Sequence, residues 1–244
     1  MIAESGRTIL PLKANKKRNI MSSAARAELE SLLRSRKLDV TLTSAVPWAD
    51  RLRDIAPTGM AALDAALGGG LARGHLSEIV GPRSSGRTTV LCRMLAAAGD
   101  RGEAVALIDA CDRFDPASAE AAGVDLSKLL WVRDTGDASR ALKAMNLVLQ
   151  AGGFGVVAFD VADVHAMALR QFPYTTWMRM ARVIEGGQTA AVIVAADRLA
   201  RSPGGVTIAV DLLPDVPRAQ WSGTSDRARF LRAIDVQTRV VGGR

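Results

Sequence analysis

One nine-residue stretch limits this chain to few folds. Gly81-Pro82-Arg83-Ser84-Ser85-Gly86-Arg87-Thr88-Thr89 follows the apolar run Leu76-Ser77-Glu78-Ile79-Val80 and opens a helical run near 87 to 99. A glycine-rich turn between a strand and a helix aims backbone N–H groups and a helix N-terminus at one point, which is how a protein cradles a phosphate. Such a turn presupposes a strand buried in a sheet with a helix packed on it. Arg87 occupies the position before Thr88 where a phosphate-binding loop carries lysine. A guanidinium is planar, wide and rigid where an ammonium is a compact point charge, so the exchange is not conservative.

The rest of the body repeats that unit. Apolar runs at Leu76 to Val80, Ala104 to Asp109, Leu129 to Val132, Gly155 to Asp160 and Ala190 to Ala195 alternate with helical stretches near 87 to 99, 115 to 122, 138 to 150 and 175 to 185. Continuous apolar strands separated by helices predict an α/β fold, a mostly parallel central sheet covered by helices on both faces. After Pro203-Gly204-Gly205 the alternation stops, and Val206 to Leu213 and Arg229 to Val241 read as strands without helices between them, predicting an antiparallel C-terminal edge.

Three segments follow. Residues 1–20 lack periodicity, hold Lys16-Lys17-Arg18 and read as a disordered basic extension, with Met21 an alternative start; residues 21–56 read as a helix (22 to 37), a strand (38 to 43) and a linker; residues 57–244 form the core domain. Residues 1 to 38 carry a net +6 and residues 218 to 244 a net +4, leaving about −3 for the middle of a chain of net +7. Basic ends on a near-neutral body suit nucleic acid or an acidic partner, and equally suit solvated tails. Cys92 and Cys111 lack metal-ligand spacing and read as reduced thiols of a cytoplasm-like compartment. No apolar run is long enough for a membrane span.

Further residues carry a family pattern. Pro57-Thr58-Gly59, Leu63-Asp64, Leu67 to Leu71, Arg73-Gly74 and Glu78 to Pro82, then Ala106 to Ala110, Asp115-Pro116, Ala122 to Asp125, Leu129-Leu130 and Asp134 to Asp137 resemble the RecA family core, in order, from about 57 to 160. The departures from RecA resemble those of the ImuA family, RecA-like accessory proteins encoded with ImuB and an error-prone polymerase in bacterial damage-induced mutagenesis. The helix before Asp39-Val40 resembles the RecA element that packs on a neighbouring protomer.

The resemblance assigns the nucleotide site to Gly81, Arg83, Ser84, Ser85, Gly86, Arg87, Thr88, Thr89 and Asp160, with Thr88 and Asp160 as the Mg²⁺ ligands. Arg87 replaces the phosphate lysine and Arg83 an acidic loop residue. Cys111 stands where the resemblance implies the glutamate that activates water, and Ser118 where it implies the tyrosine that stacks on adenine. A positioned base contributes about 10²–10⁴-fold and a neutral thiol does not replace it. The expectation is a degenerate site with no catalytic residue, no required cofactor, and ATP with Mg²⁺ the ligand left to test.

For DNA, two loops after the metal-binding and last core strands, near 163 to 174 and at 197 to 205, correspond to RecA's DNA-holding loops. Arg170, Arg179, Arg182, Arg198 and Arg201 lie in or near them, and Arg227 and Arg229 in the basic C-terminal segment. His75 and His165 read as surface or capping residues, and Phe172-Pro173-Tyr174 with Trp177 as a core corner. The leading expectation is a cytoplasmic, nucleoid-associated adaptor of translesion synthesis, linking ImuB to single-stranded DNA or to RecA, with residues 22 to 43 available for a RecA contact or self-association. An active DNA-dependent ATPase and a division inhibitor of the SOS response stay open as alternatives.

Overall fold

The computed structural model describes residues 55–200, 204–211, 219–223, 225 and 230–242. The predicted helix of 22 to 37, the strand of 38 to 43, and Arg201, Arg227 and Arg229 lie outside them.

Two short strands, β1 (Ile55–Ala56) and β2 (Leu71–Ala72), pair antiparallel around helix α1 (Ala61–Leu67). The core then alternates as foreseen: β3 (Leu76–Val80), α2 (Arg87–Asp100), β4 (Val105–Asp109), α3 (Pro116–Ala121), a 3₁₀ turn (Leu126–Lys128), β5 (Leu129–Arg133), α4 (Ala138–Ala151) and β6 (Val156–Asp160). Helices α5 (Ala166–Arg170) and α6 (Tyr174–Ile184) precede β7 (Ala190–Ala195), and β8 (Thr207–Val210), β9 (Ala219–Ser222), β10 (Phe230–Ile234) and β11 (Thr238–Val240) close the chain. The seven-stranded sheet has the order β11-β8-β3-β7-β6-β4-β5, parallel throughout except β11, which runs antiparallel to β8.

The inner strands are where the apolar runs are because each is covered twice; the run at 129 to 132, expected to be a buried strand, is instead the sheet-edge strand β5, which has no buried residue and leaves Leu130 44% exposed. Every residue of β3, β4, β7 and β8 is buried, as expected of parallel strands with helices on both faces. On one face Ile79, Leu107 and Val192 pack with Val90, Leu91 and Leu95 of α2. On the other, Val157, Phe159 and Ile193 pack with Leu142 and Met145 of α4 and Trp177 and Met180 of α6. Each such large apolar side chain contributes roughly 1.5–3 kcal/mol on burial. Trp177 is 2% exposed and meets the half-buried Phe172 edge to face at 6.0 Å, but Pro173 and Tyr174 are exposed, so only part of the predicted core corner lies in the core.

The structure corrects two sequence readings. The run from 229 to 241 is not one strand: Asp235-Val236-Gln237 breaks it, and β10 leaves the main sheet to pair with β9 in a two-stranded antiparallel sheet, with a register shift between Leu231 and Ala233. The loop near 163 to 174 is not irregular throughout, because His165 Nδ1 accepts the amide of Met167 and caps the five-residue helix α5.

Candidate phosphate and nucleotide site

The site forms at the carboxyl ends of the central strands, where the chain leaves β3 toward β4 on one side and β7 for β8 on the other, and where α/β sheets place their ligands. Parallel register sets its members side by side: Arg133 of β5, Asp109 of β4, Asp160 of β6 and Val194 of β7 are successive partners across the sheet.

The loop 81–86 is held by close contacts that only glycine allows. A Cβ on Gly81 would lie 2.4 Å from the Val210 carbonyl oxygen and 2.9 Å from Ser85 Oγ. Gly86, at φ 105°, is the residue before α2, and a Cβ there would lie 2.8 and 2.9 Å from the two methyls of Val236. Ser84 sits at φ 60°, a left-handed conformation that costs a non-glycine residue free energy. Asp115 caps α3 through the Ser118 amide, and Asp137 caps α4 through the amides of Ser139 and Arg140. Gly86 offers α2 no side-chain cap, so the first N–H groups of this helix keep their donor capacity.

Arg87, the first residue of α2, is 8% exposed, and its Nη1 is buried with no hydrogen-bond partner. Its charge acts on Asp160. Burial first and the neighbouring Asp109 second push the Asp160 carboxyl up to about 6, while the Ala162 amide and Arg87 pull the other way. Asp109 itself is 1% exposed and accepts the amides of Cys111 at 3.3 Å and Phe114 at 2.8 Å, which shapes the turn after β4. That turn presents Cys111 half-buried, and burial, then Asp163, Asp109 and Asp160, push its thiol up. It is therefore neutral at neutral pH and unable to take a proton from water as a carboxylate would. Thr88 and Thr89 are exposed on the first turn of α2.

The loop residues meet the requirements of a phosphate: a glycine cradle, free helix N–H groups and an orphaned buried cation. A divalent cation between Thr88 and Asp160 would have the Arg87 guanidinium as a neighbour. Arg83, the other loop arginine, reaches outward to Asp163 at 3.6 Å, and Arg113 approaches the same carboxylate at 3.8 Å. Ser118, where the resemblance implies the ring that stacks on adenine, donates its amide and hydroxyl to Asp115.

Among the described residues the DNA candidates do not converge. Arg170 ends α5, Arg179 borders a groove with Lys143 and Leu147 of α4, and Arg182 lies beside Gly74 and His75, at the opposite end of β3 from the loop. Arg198 is anchored, donating to Thr207 Oγ1 at 3.1 Å and the Val241 carbonyl at 3.0 Å.

Sequence reasoning missed Glu78. It is 2% exposed in the middle of β3, where its Oε1 accepts the amides of Leu199 at 2.6 Å and Ala200 at 2.5 Å and its Oε2 accepts the Thr207 hydroxyl at 3.3 Å. This one carboxylate ties the loop after β7 to the strand that feeds the phosphate loop. The signal was an acid inside an otherwise uncharged buried run. Val236, pressed on Gly86 from a distant turn, left no signal.

The RecA N-terminal domain model matches residues 49–171. The protein RecA of Methylococcus capsulatus is 45% identical over 109 residues, covering 44% of this chain and 31% of that protein. The protein RecA of Symbiobacterium thermophilum is 44% identical over 109 residues, again 44% of this chain and 31% of that protein. The match thus spans about a third of the length of these curated relatives. The crystal structure of the RadB recombinase superposes with a TM-score of 0.52 at 17% identity, covering 74% of this chain and 90% of that one. Among the described residues no helix is long and apolar enough to cross a membrane.

Proposed function

The chain belongs to the family of the RecA N-terminal domain, and from that premise we propose that it is a RecA-like accessory protein that does not hydrolyse ATP at a useful rate. The observation that carries this reading is the raised Cys111 thiol, taken with the buried Arg87. The residue to which the resemblance assigns deprotonation of water is a thiol pushed up by burial and three nearby carboxylates, and the one it assigns to the phosphates is a buried arginine. Losing a positioned base removes about 10²–10⁴-fold of rate, and the transfer also depends on a correctly placed cation. The fold is kept because the loop still turns β3 into α2 and both core faces depend on that turn.

The function that follows is that of an adaptor in damage-induced mutagenesis, of the ImuA kind, bringing ImuB and its error-prone polymerase to RecA or to single-stranded DNA. Residues 22 to 43 supply the contact with RecA. The test has two parts. Phosphate release from ATP with Mg²⁺ should stay at background with and without single-stranded DNA, and deletion of residues 1 to 43 should abolish capture of RecA. DNA-stimulated turnover comparable to that of RecA would instead make the chain an active ATPase, and RecA capture that survives the deletion would move the contact elsewhere.

A further inference from the structure

Helices α4 and α6 lie side by side on one face of the sheet, and the groove between them is open. Leu142 and Met180, both buried, form its floor, and Lys143 and Leu147 of α4 and Thr176 and Arg179 of α6 line its walls around a cavity of about 560 Å³. Leu147 is 65% exposed, more than any other large apolar side chain among the described residues. On the next turn of both helices, Gln150 and the exposed Val183 line a second cavity of about 770 Å³. Apolar residues exposed singly are ordinary, but an apolar groove floored by core side chains and continued over successive turns is where another chain lies.

The charge around this groove has one sign. Helices α4 and α6 contain no Asp or Glu and four cations, Arg140, Lys143, Arg179 and Arg182, although the middle of the chain is about −3 overall. Arg140 is held by Asp134, and Arg182 lies on the other flank of α6, beside Gly74 and His75. Lys143 and Arg179 stand on the groove itself and make no ion pair among the described residues. A solvated helix face ordinarily mixes both signs; here the acids are missing on both sides of an apolar floor.

We propose that the groove between α4 and α6 is a docking site for an amphipathic helix of another protein, one whose apolar stripe is bordered by Asp and Glu. The spacing selects a helix: Lys143, Leu147 and Gln150 on α4, and Thr176, Arg179 and Val183 on α6, recur every three or four residues, so the groove follows two helices, and a third packs along it by its ridges. Leu142, Leu147 and Met180 take the apolar stripe, as grooves of this kind take anchors at every third or fourth position. Lys143 and Arg179 pair with the flanking carboxylates and fix the direction in which the helix lies. The groove works in the same way whether or not the chain hydrolyses ATP.

The test is fluorescence anisotropy of the full chain with three labelled synthetic peptides of about 18 residues, long enough to form a helix on binding. One has Leu at every third or fourth position and Glu on the flanks, the second has Lys in place of each Glu, and the third scrambles the order of the first. The glutamate helix should bind at least about tenfold more tightly than either of the others. Leu147→Asp should weaken it about tenfold or more, the loss expected of an apolar anchor, while Met167→Asp, 61% exposed outside the groove, should titrate like the parent. Lys143→Glu combined with Arg179→Glu should reverse the preference, so that the lysine helix binds better. All four side chains are exposed, and melting curves establish that the variants fold. Equal binding of the three peptides, a Leu147→Asp or charge-reversed variant that binds the glutamate helix like the parent, or no binding at all would overturn the proposal. Two further outcomes overturn it in favour of another occupant: a dimer in sedimentation that Leu147→Asp abolishes makes the groove a contact between copies, and oligo(dT) that displaces the glutamate helix makes it a surface for nucleic acid.

Discussion

Two arginines flank strand β3, and their surroundings are opposites. Arg73, before the strand, donates Nε to the Ile55 carbonyl at 3.1 Å, Nη1 to the carbonyls of Gly155 at 3.3 Å and Gln188 at 2.8 Å, and Nη2 to Glu103 at 2.6 Å. Arg101 grips the same Glu103 with two further bonds of 3.0 Å. Burial pushes the Glu103 carboxyl up, and hydrogen bonds from Arg101 and Arg73 outweigh it and hold the group below its usual range. Arg87, after the strand, is equally buried and leaves Nη1 unmet. A satisfied network at the strand starts is how a fold closes its polar accounts; an unsatisfied charge at the strand ends is kept only where something other than folding uses it.

The sharpest way to break that contrast is to delete each head group. Arg73→Met should destabilise the protein by about 3–5 kcal/mol, because it removes four hydrogen bonds made by one guanidinium, to Glu103 and to the carbonyls of Ile55, Gly155 and Gln188, whereas Arg87→Met should change stability by less than about 1 kcal/mol, since no hydrogen bond from Nη1 is lost. Equilibrium urea unfolding of both variants measures the difference, and equal losses would mean that Arg87 is structural too.

Next in size is the tie between the strand and the loop after β7. Glu78→Ala should cost about 2–3 kcal/mol through the two buried amides it abandons, and hydrogen exchange should rise at Leu199 and Ala200 before it rises in β3. A uniform increase across the sheet would show that Glu78 holds the core and not the loop.

The smallest expected effect has the opposite sign. Asp160 is pushed up to about 6 by burial, so its ionisation is harder in the folded chain than in the unfolded one. A raised carboxyl favours folding fully below the unfolded value near 4, and that favour is lost as pH rises through about 6. Asp160→Asn should therefore stabilise the protein at pH 8 by about 1–2 kcal/mol and leave it unchanged below pH 4. Thermal melts across that range check it, and a variant less stable than the parent at pH 8 would mean that the charge is compensated.

The alternation of buried strands and helices was legible from residue 76 to 195 because two-sided burial demands uninterrupted apolar runs, which a sequence displays directly. Gly81, Gly86 and Arg87 were legible for a related reason: the turn from strand to helix has few solutions, and each is written in adjacent residues. The C-terminal strands were misread as one because Asp235-Val236-Gln237 carries no glycine or proline to mark the break, and only pairing with β9 moves β10 out of the sheet. Cys111 was legible as a thiol at the position where the resemblance implies a glutamate. That three carboxylates, Asp163, Asp109 and Asp160, also surround it follows from the order β7-β6-β4, which no local pattern encodes.

By itself the sequence determined the class of fold and the place of the loop, since these depend on neighbours in the chain and on the period of apolar residues. Only the tertiary structure decided that Arg73 is satisfied and Arg87 is not, that Glu78 ties down a loop more than a hundred residues away, and that Val236 walls the cradle at Gly86. Whether a buried polar group is met depends on partners brought by other strands, and those partners exist only once the sheet has formed.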